Sequence, residues 1–187
     1  TADLRLAAKR IAFGKLLNAG QTCVAPDYLL VHRDLKEGLC REMKHAVGEF
    51  FGDYPLRSPA YPRIVSERAT ARLAGMIGAS GRVLWGGEFD VRQRYVAPTL
   101  IDDPDDDSPA MTEEIFGPLL PVKTFRHIDE AIEALREAGF DVMKAENMEL
   151  LTVRGYTDEL WRKYARGPQV FVRQATQSTV RVVRKRS

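Results

Sequence analysis

The residues of this chain that could do covalent chemistry are few, and the two cysteines lead them. Cys23 stands in the segment Leu16 to Asp27, LLNAGQTCVAPD, where an apolar helix ends at a glycine, a polar loop follows and a buried strand begins. A reactive cysteine must ionise near neutral pH, be reachable by substrate and lie near backbone amides that can hold an oxyanion. That order of elements can set a thiol at the rim of a sheet, and the glycine lets the backbone turn and approach a ligand closely. Spacing alone leaves open the plainer reading, an inert packing cysteine. Cys40 falls in the apolar stripe of a helix and reads as a small core residue. His32, His45 and His127 are spread over different elements without ligand spacing, so no metal site is expected. The acidic run DDPDDDSP lacks the glycine and terminal glutamate of a calcium loop and reads as a solvated turn.

The elements that must carry these residues follow from apolar periodicity. Leu4, Ala7, Ala8, Ile11, Ala12, Leu16 and Leu17 lie near helical spacing, with Asp3 placed as an N-cap and Arg5, Lys9 and Lys15 assigned to the other side. Tyr28 to His32 (YLLVH) is a continuous apolar run of the kind covered on both faces. Helices are expected over 35–51, 66–78 (capped by Ser66) and 128–138, and strands over 82–85 and 119–125. An extended stretch at 95–100 and a compact loop at 113–118 lie between them. Helices alternating with short apolar strands predict an α/β domain with a mainly parallel sheet and flanking helices. SGRVLWGG follows no strand and opens no helix, so it is not a phosphate-binding fingerprint.

The loop around Cys23 has more to say than its spacing. GQTC after an apolar helix resembles the active-site cysteine signature of the aldehyde dehydrogenases, and EEIFGP at Glu113 to Pro118 resembles that family's cofactor loop. RYVAPTLIDD at 94–103 lies between them, as in the family, and AAKRIAFGKLLNAGQTCVAPDYLLV is nearest in wording to the class 3 and coniferyl-aldehyde branch. The resemblance covers residues 1–134. It implies that Cys23 attacks an aldehyde carbon and that its backbone N–H contributes to an oxyanion hole. It implies further that Glu114 fixes the nicotinamide ribose of NAD or NADP and that Phe116 lies against the ring. By the rule for open α/β sheets, Cys23 should stand at the carboxyl edge of the sheet beside the 113–118 loop.

The family's general-base glutamate, second oxyanion donor and dinucleotide-binding domain correspond to sequence upstream of residue 1. The 187-residue chain is therefore expected to be inactive alone as a dehydrogenase. Because YLLVH and PLLPV should be covered on both faces by segments that the family supplies from elsewhere, uncovered sheet is expected, and with it self-association or a homo-oligomer. From about residue 135 the style changes. Strands expected in FDVMKA, MELLTVRGY, PQVFVRQA and STVRVVRK, with a helix in TDELWRKYARG, suggest a small α+β, ferredoxin-like segment over 135–187 that loosely resembles the ACT regulatory end of aspartokinases. The alternative to an enzyme is then a regulatory hybrid with an amino-acid-sensing or dimerisation tail and a relic thiol site.

Composition narrows the partners. A net charge of +2 from 28 basic and 26 acidic residues carries no strong bias toward nucleic acid or membrane, despite a basic end at 173–186. No apolar run approaches the roughly 20 residues that span a bilayer. Two cysteines without CxxC spacing suggest reduced thiols. A cytoplasmic protein acting on a small-molecule aldehyde is expected.

Overall fold

Asp3 opens the first helix as its position predicts, its side chain accepting a hydrogen bond from the Leu6 N–H at 3.0 Å. The computed structural model describes residues 3–137 and, as backbone, four later strands. Helix α1 (Leu4–Leu16) buries Ala7, Ala8, Ile11, Ala12 and Leu16. It gives way to a tight helical turn, Leu17–Gly20, in which Asn18, Ala19 and Gly20 all adopt left-handed φ values of 52°, 52° and 74°. Strand β1 (Pro26–His32), helix α2 (Arg33–Phe51) and helix α3 (Glu67–Ala79) follow, the last with the Ser66 hydroxyl accepting from the Ala69 N–H. Then come β2 (Arg82–Trp85), the short β3 (Phe89–Asp90) and β4 (Tyr95–Val96), β5 (Thr99–Asp102), the single turn α4 (Pro109–Thr112), β6 (Leu119–Phe125) and α5 (Ile128–Glu137).

The expected α/β arrangement is present, with the parallel strands at its centre. β1 and β5 both run parallel to β6, in registers that pair Leu29 with Val122 and Leu100 with Leu120. The margins are antiparallel: β2 pairs with β5, while β9 (Gln169–Gln174) pairs with β1 and β10 (Arg181–Arg184) with β9. The order is thus β10-β9-β1-β6-β5-β2, and β7 (Val142–Lys144) and β8 (Leu151–Val153) form a separate antiparallel pair. The four tail strands fall within the stretches where strands were expected, whereas the helix expected in TDELWRKYARG lies outside the described residues.

Side chains alternate across the sheet, as a period of two requires. Leu29 and Val31 of β1, with Leu120 and Val122 of β6, pack under α1 and α2. Tyr28, Leu30 and Phe125 face the other way, against Ala131, Ile132 and Leu135 of α5. Ile101 and Leu119 join a third cluster with Leu73, Met76 and Ile77 of α3. YLLVH and PLLPV are therefore covered within the chain itself, and the expectation that they would lie open is corrected. The larger exposed apolar side chains lie elsewhere: Leu6 and Phe13 on α1, Leu17 just after it, Phe89 in β3, and Val24, Tyr54, Val65 and Phe116 in the loops. The acidic turn after β5 folds over Lys123, whose ammonium pairs with Asp106 at 2.9 Å and Asp103 at 3.5 Å and donates to the Pro104 carbonyl. Lys123 thereby offsets part of the turn's negative charge from within the chain.

Candidate active site

Cys23 is exposed and forms no disulfide. It sits in a reverse turn closed by the Ala25 N–H donating to the Thr22 carbonyl at 3.1 Å, which places its side chain at a loop apex rather than in the core. Gln21 anchors that turn from the other side. Its amide nitrogen donates to the carbonyls of Asn18 (3.0 Å) and Arg63 (3.1 Å), and its oxygen accepts from the Val65 N–H at 2.8 Å. The 63–65 segment is in turn tied to the stretch before β5. Ile64 N–H donates to the Arg94 carbonyl at 2.8 Å and the Tyr61 hydroxyl to the Val96 carbonyl at 2.9 Å.

Below the turn lies Lys15. Sequence spacing assigned it to the solvent side of α1, but it stands on the same stripe as Ala8, Ile11 and Ala12 and is only 2 % exposed. Its Nζ reaches past the end of the helix and donates to the Pro26 carbonyl at 2.8 Å, fastening the first residue of β1. Burial lowers its pKa from 10.5 to about 8, against the opposing pull of Asp27.

The second motif lies against the first. Gly20 packs on Gly117 so closely that a Cβ at Gly20 would lie 2.1 Å from the Gly117 carbonyl oxygen and 3.1 Å from that of Lys15. The 113–118 loop is thereby held next to the turn that leads into Cys23. Within it Ile115 is buried, Glu114 is exposed, and Phe116 is 41 % exposed with φ +46°. At its end the Thr99 N–H donates to the Pro118 carbonyl at 2.9 Å, joining the loop to β5.

Two expectations about placement have different outcomes. The segment leading into the Cys23 turn and the 113–118 loop meet, at Gly20 and Gly117. They do not lie at the carboxyl edge of the sheet: each precedes its strand, and because β1 and β6 are parallel both loops gather at the amino ends. The rule applied to strand-to-helix crossovers, whereas both of these connections run from a helix into a strand.

Apolar spacing does not single out Gln21 or Lys15 as residues that hold the turn. Gln21 stood inside the quoted motif, and a polar residue between the glycine and the thiol was the available signal. Among the described residues no group of three or more His, Cys, Asp or Glu side chains could hold a metal ion, and no helix is long and apolar enough to cross a membrane.

Comparison with known proteins agrees with this geometry. Residues 1–139 match the model of the "Aldehyde dehydrogenase family". The chain is 47 % identical over 134 residues to aldehyde dehydrogenase family 3 comG of Dictyostelium discoideum, covering 72 % of this chain and 28 % of that protein. It is 44 % identical over 138 residues to the 4,4'-diaponeurosporen-aldehyde dehydrogenase of Staphylococcus aureus, covering 73 % and 30 %. A substrate-bound structure of Staphylococcus aureus AldH superposes with a TM-score of 0.70 at 43 % identity, over 73 % of this chain and 30 % of that one. A glyceraldehyde-3-phosphate dehydrogenase of Bacillus halodurans, solved with NADP, does so with 0.64 at 26 %, over 75 % of this chain and 30 % of that one. The chain thus spans under a third of the length of these relatives. By the match over residues 1–139 and by identity along them, this chain belongs to the aldehyde dehydrogenase family.

Proposed function

We propose that the chain carries the thiol half of an NAD(P)-dependent aldehyde oxidation, with Cys23 as nucleophile and Glu114 and Phe116 as contacts to the nicotinamide end of the cofactor. The observation that carries this reading is the backbone contact of Gly20 on Gly117, which sets both motifs side by side with Cys23 and Phe116 exposed. Cys23 Sγ adds to the carbonyl carbon to give a thiohemiacetal; loss of its hydride to a bound nicotinamide turns it into a thioester, which water then hydrolyses to the carboxylic acid and the thiolate. The fixed turn around Cys23 serves that addition because its amides are pre-oriented rather than reorganised during reaction.

The exposed residues of the 113–118 loop fit one end of the cofactor. A carboxylate and a flat aromatic face two residues apart suit ribose hydroxyls and a nicotinamide ring. When bound, that ring supplies the hydride acceptor. Among the described residues no glycine-rich turn leads from a strand into a helix N-terminus, the feature that would cradle a pyrophosphate. Cysteine acylation needs less than the complete reaction, a reachable thiolate and some oxyanion stabilisation.

The experiment uses the 187-residue chain with an activated ester in one assay and an aromatic aldehyde with NAD or NADP in another. Slow ester hydrolysis that Cys23→Ala abolishes, with no reduction of either cofactor, is the expected result. Hydrolysis unchanged in Cys23→Ala would remove Cys23 from the reading. Cys23-dependent reduction would show that these residues suffice for the whole reaction.

A further inference from the structure

The 113–118 loop is held in a conformation that its own residues disfavour. Phe116 has φ +46°, a left-handed value costly for a bulky side chain, and yet its ring is kept outward between the buried Ile115 and Gly117. The restraint comes from α3. Arg72 donates from Nη1 to the Glu114 carbonyl at 3.2 Å and from Nη2 to the Ile115 carbonyl at 2.5 Å. A planar guanidinium spanning two successive carbonyls fixes both peptide planes just before Phe116, which a single ammonium has no second arm to do. The next residue of α3 completes the grip: a Cβ at Gly117 would lie 2.5 Å from Leu73 Cδ2. Gly117 is also the group on which Gly20 rests, three residues before Cys23.

Resting on the functional reading above, we propose that Arg72 is a positioning residue for both halves of the site. By gripping the Glu114 and Ile115 carbonyls it presents Phe116 to the cofactor. Through the Gly117–Gly20 contact it sets the turn that carries Cys23. Arg72 touches no reacting atom in this scheme.

The test compares the complete chain with Arg72→Met, Arg72→Lys and, as a control, Arg68→Met, an exposed arginine one turn earlier on the same helix. Three quantities are measured: amide hydrogen exchange in residues 113–118, iodoacetamide modification rates of Cys23 and Cys40 resolved by mass spectrometry, and the denaturation midpoint. Arg72→Met is expected to speed exchange in the loop about tenfold, the loss of charge-assisted hydrogen bonds. It should shift the Cys23 rate about threefold or more while Cys40 holds steady. Arg72→Lys should recover part of both effects, and Arg68→Met should leave both at wild-type values. Unchanged loop exchange and Cys23 rate in Arg72→Met would overturn the proposal, as would equal changes at both thiols with a lowered midpoint, the mark of a merely structural residue. Failure of the functional reading is read separately, in the wild-type chain, as a Cys23 no more reactive than Cys40.

Discussion

Gly20 and Gly117 meet backbone to backbone, with no room between them for a methyl group. Gly20 is also left-handed at φ +74°, so two independent reasons exclude a side chain there. This contact joins the loop of the nucleophile candidate to the loop of the cofactor candidate, two segments far apart in sequence.

Gly20→Ala should therefore be costly. Left-handed backbone at alanine and overpacking against a carbonyl together predict a loss of about 2–4 kcal/mol. Chemical denaturation measures it. Wild-type stability in this variant would mean that the two loops part without penalty.

Lys15 predicts a particular pH dependence. Its folded-state pKa of about 8 lies below the unfolded 10.5, so between these values the unfolded chain holds the proton and the folded chain does not. Stability from this group consequently rises with pH across that window, and below about 8 the buried charge costs on the order of 3 kcal/mol. In Lys15→Met the contribution vanishes, although the Pro26 carbonyl loses its donor at every pH. The stability difference between wild type and Lys15→Met should then shift in favour of wild type from about pH 8 to 10.5, followed by urea denaturation at each pH. A difference that stays flat would contradict the burial of a charged Lys15.

Apolar surface remains on and just past α1. Leu6 and Phe13 are 45 % and 62 % exposed and at 100° per residue fall on one side of the helix, and Leu17, the residue after its end, is 52 % exposed. A stripe of this kind favours association in water. Concentration-dependent sedimentation is expected for the chain, and Phe13→Ser with Leu17→Ser should weaken it by tenfold or more, roughly the burial of two large side chains discounted for incomplete contact. Identical sedimentation of the double variant and wild type would place the contact on another surface.

Local patterns were enough for the sequence to specify most elements. An aspartate before an apolar stripe starts α1, Ser66 starts α3, and apolar runs at 28–32 and 119–122 make strands buried on both faces; each depends on neighbours within a few residues. The motif residues Cys23, Glu114 and Phe116 were legible for the same reason, as short words in the chain. What only the tertiary structure decided is where those words meet. Parallel pairing of β1 with β6 carries both loops to the amino ends of the strands, and α1 delivers Lys15 beneath the turn rather than to solvent. The grip of Arg72 on the carbonyls of Glu114 and Ile115 spans more than 40 residues of sequence. No periodicity marks such a contact, because a backbone carbonyl accepts a hydrogen bond whatever its side chain, and only the packing of α3 against the loop brings the guanidinium within reach.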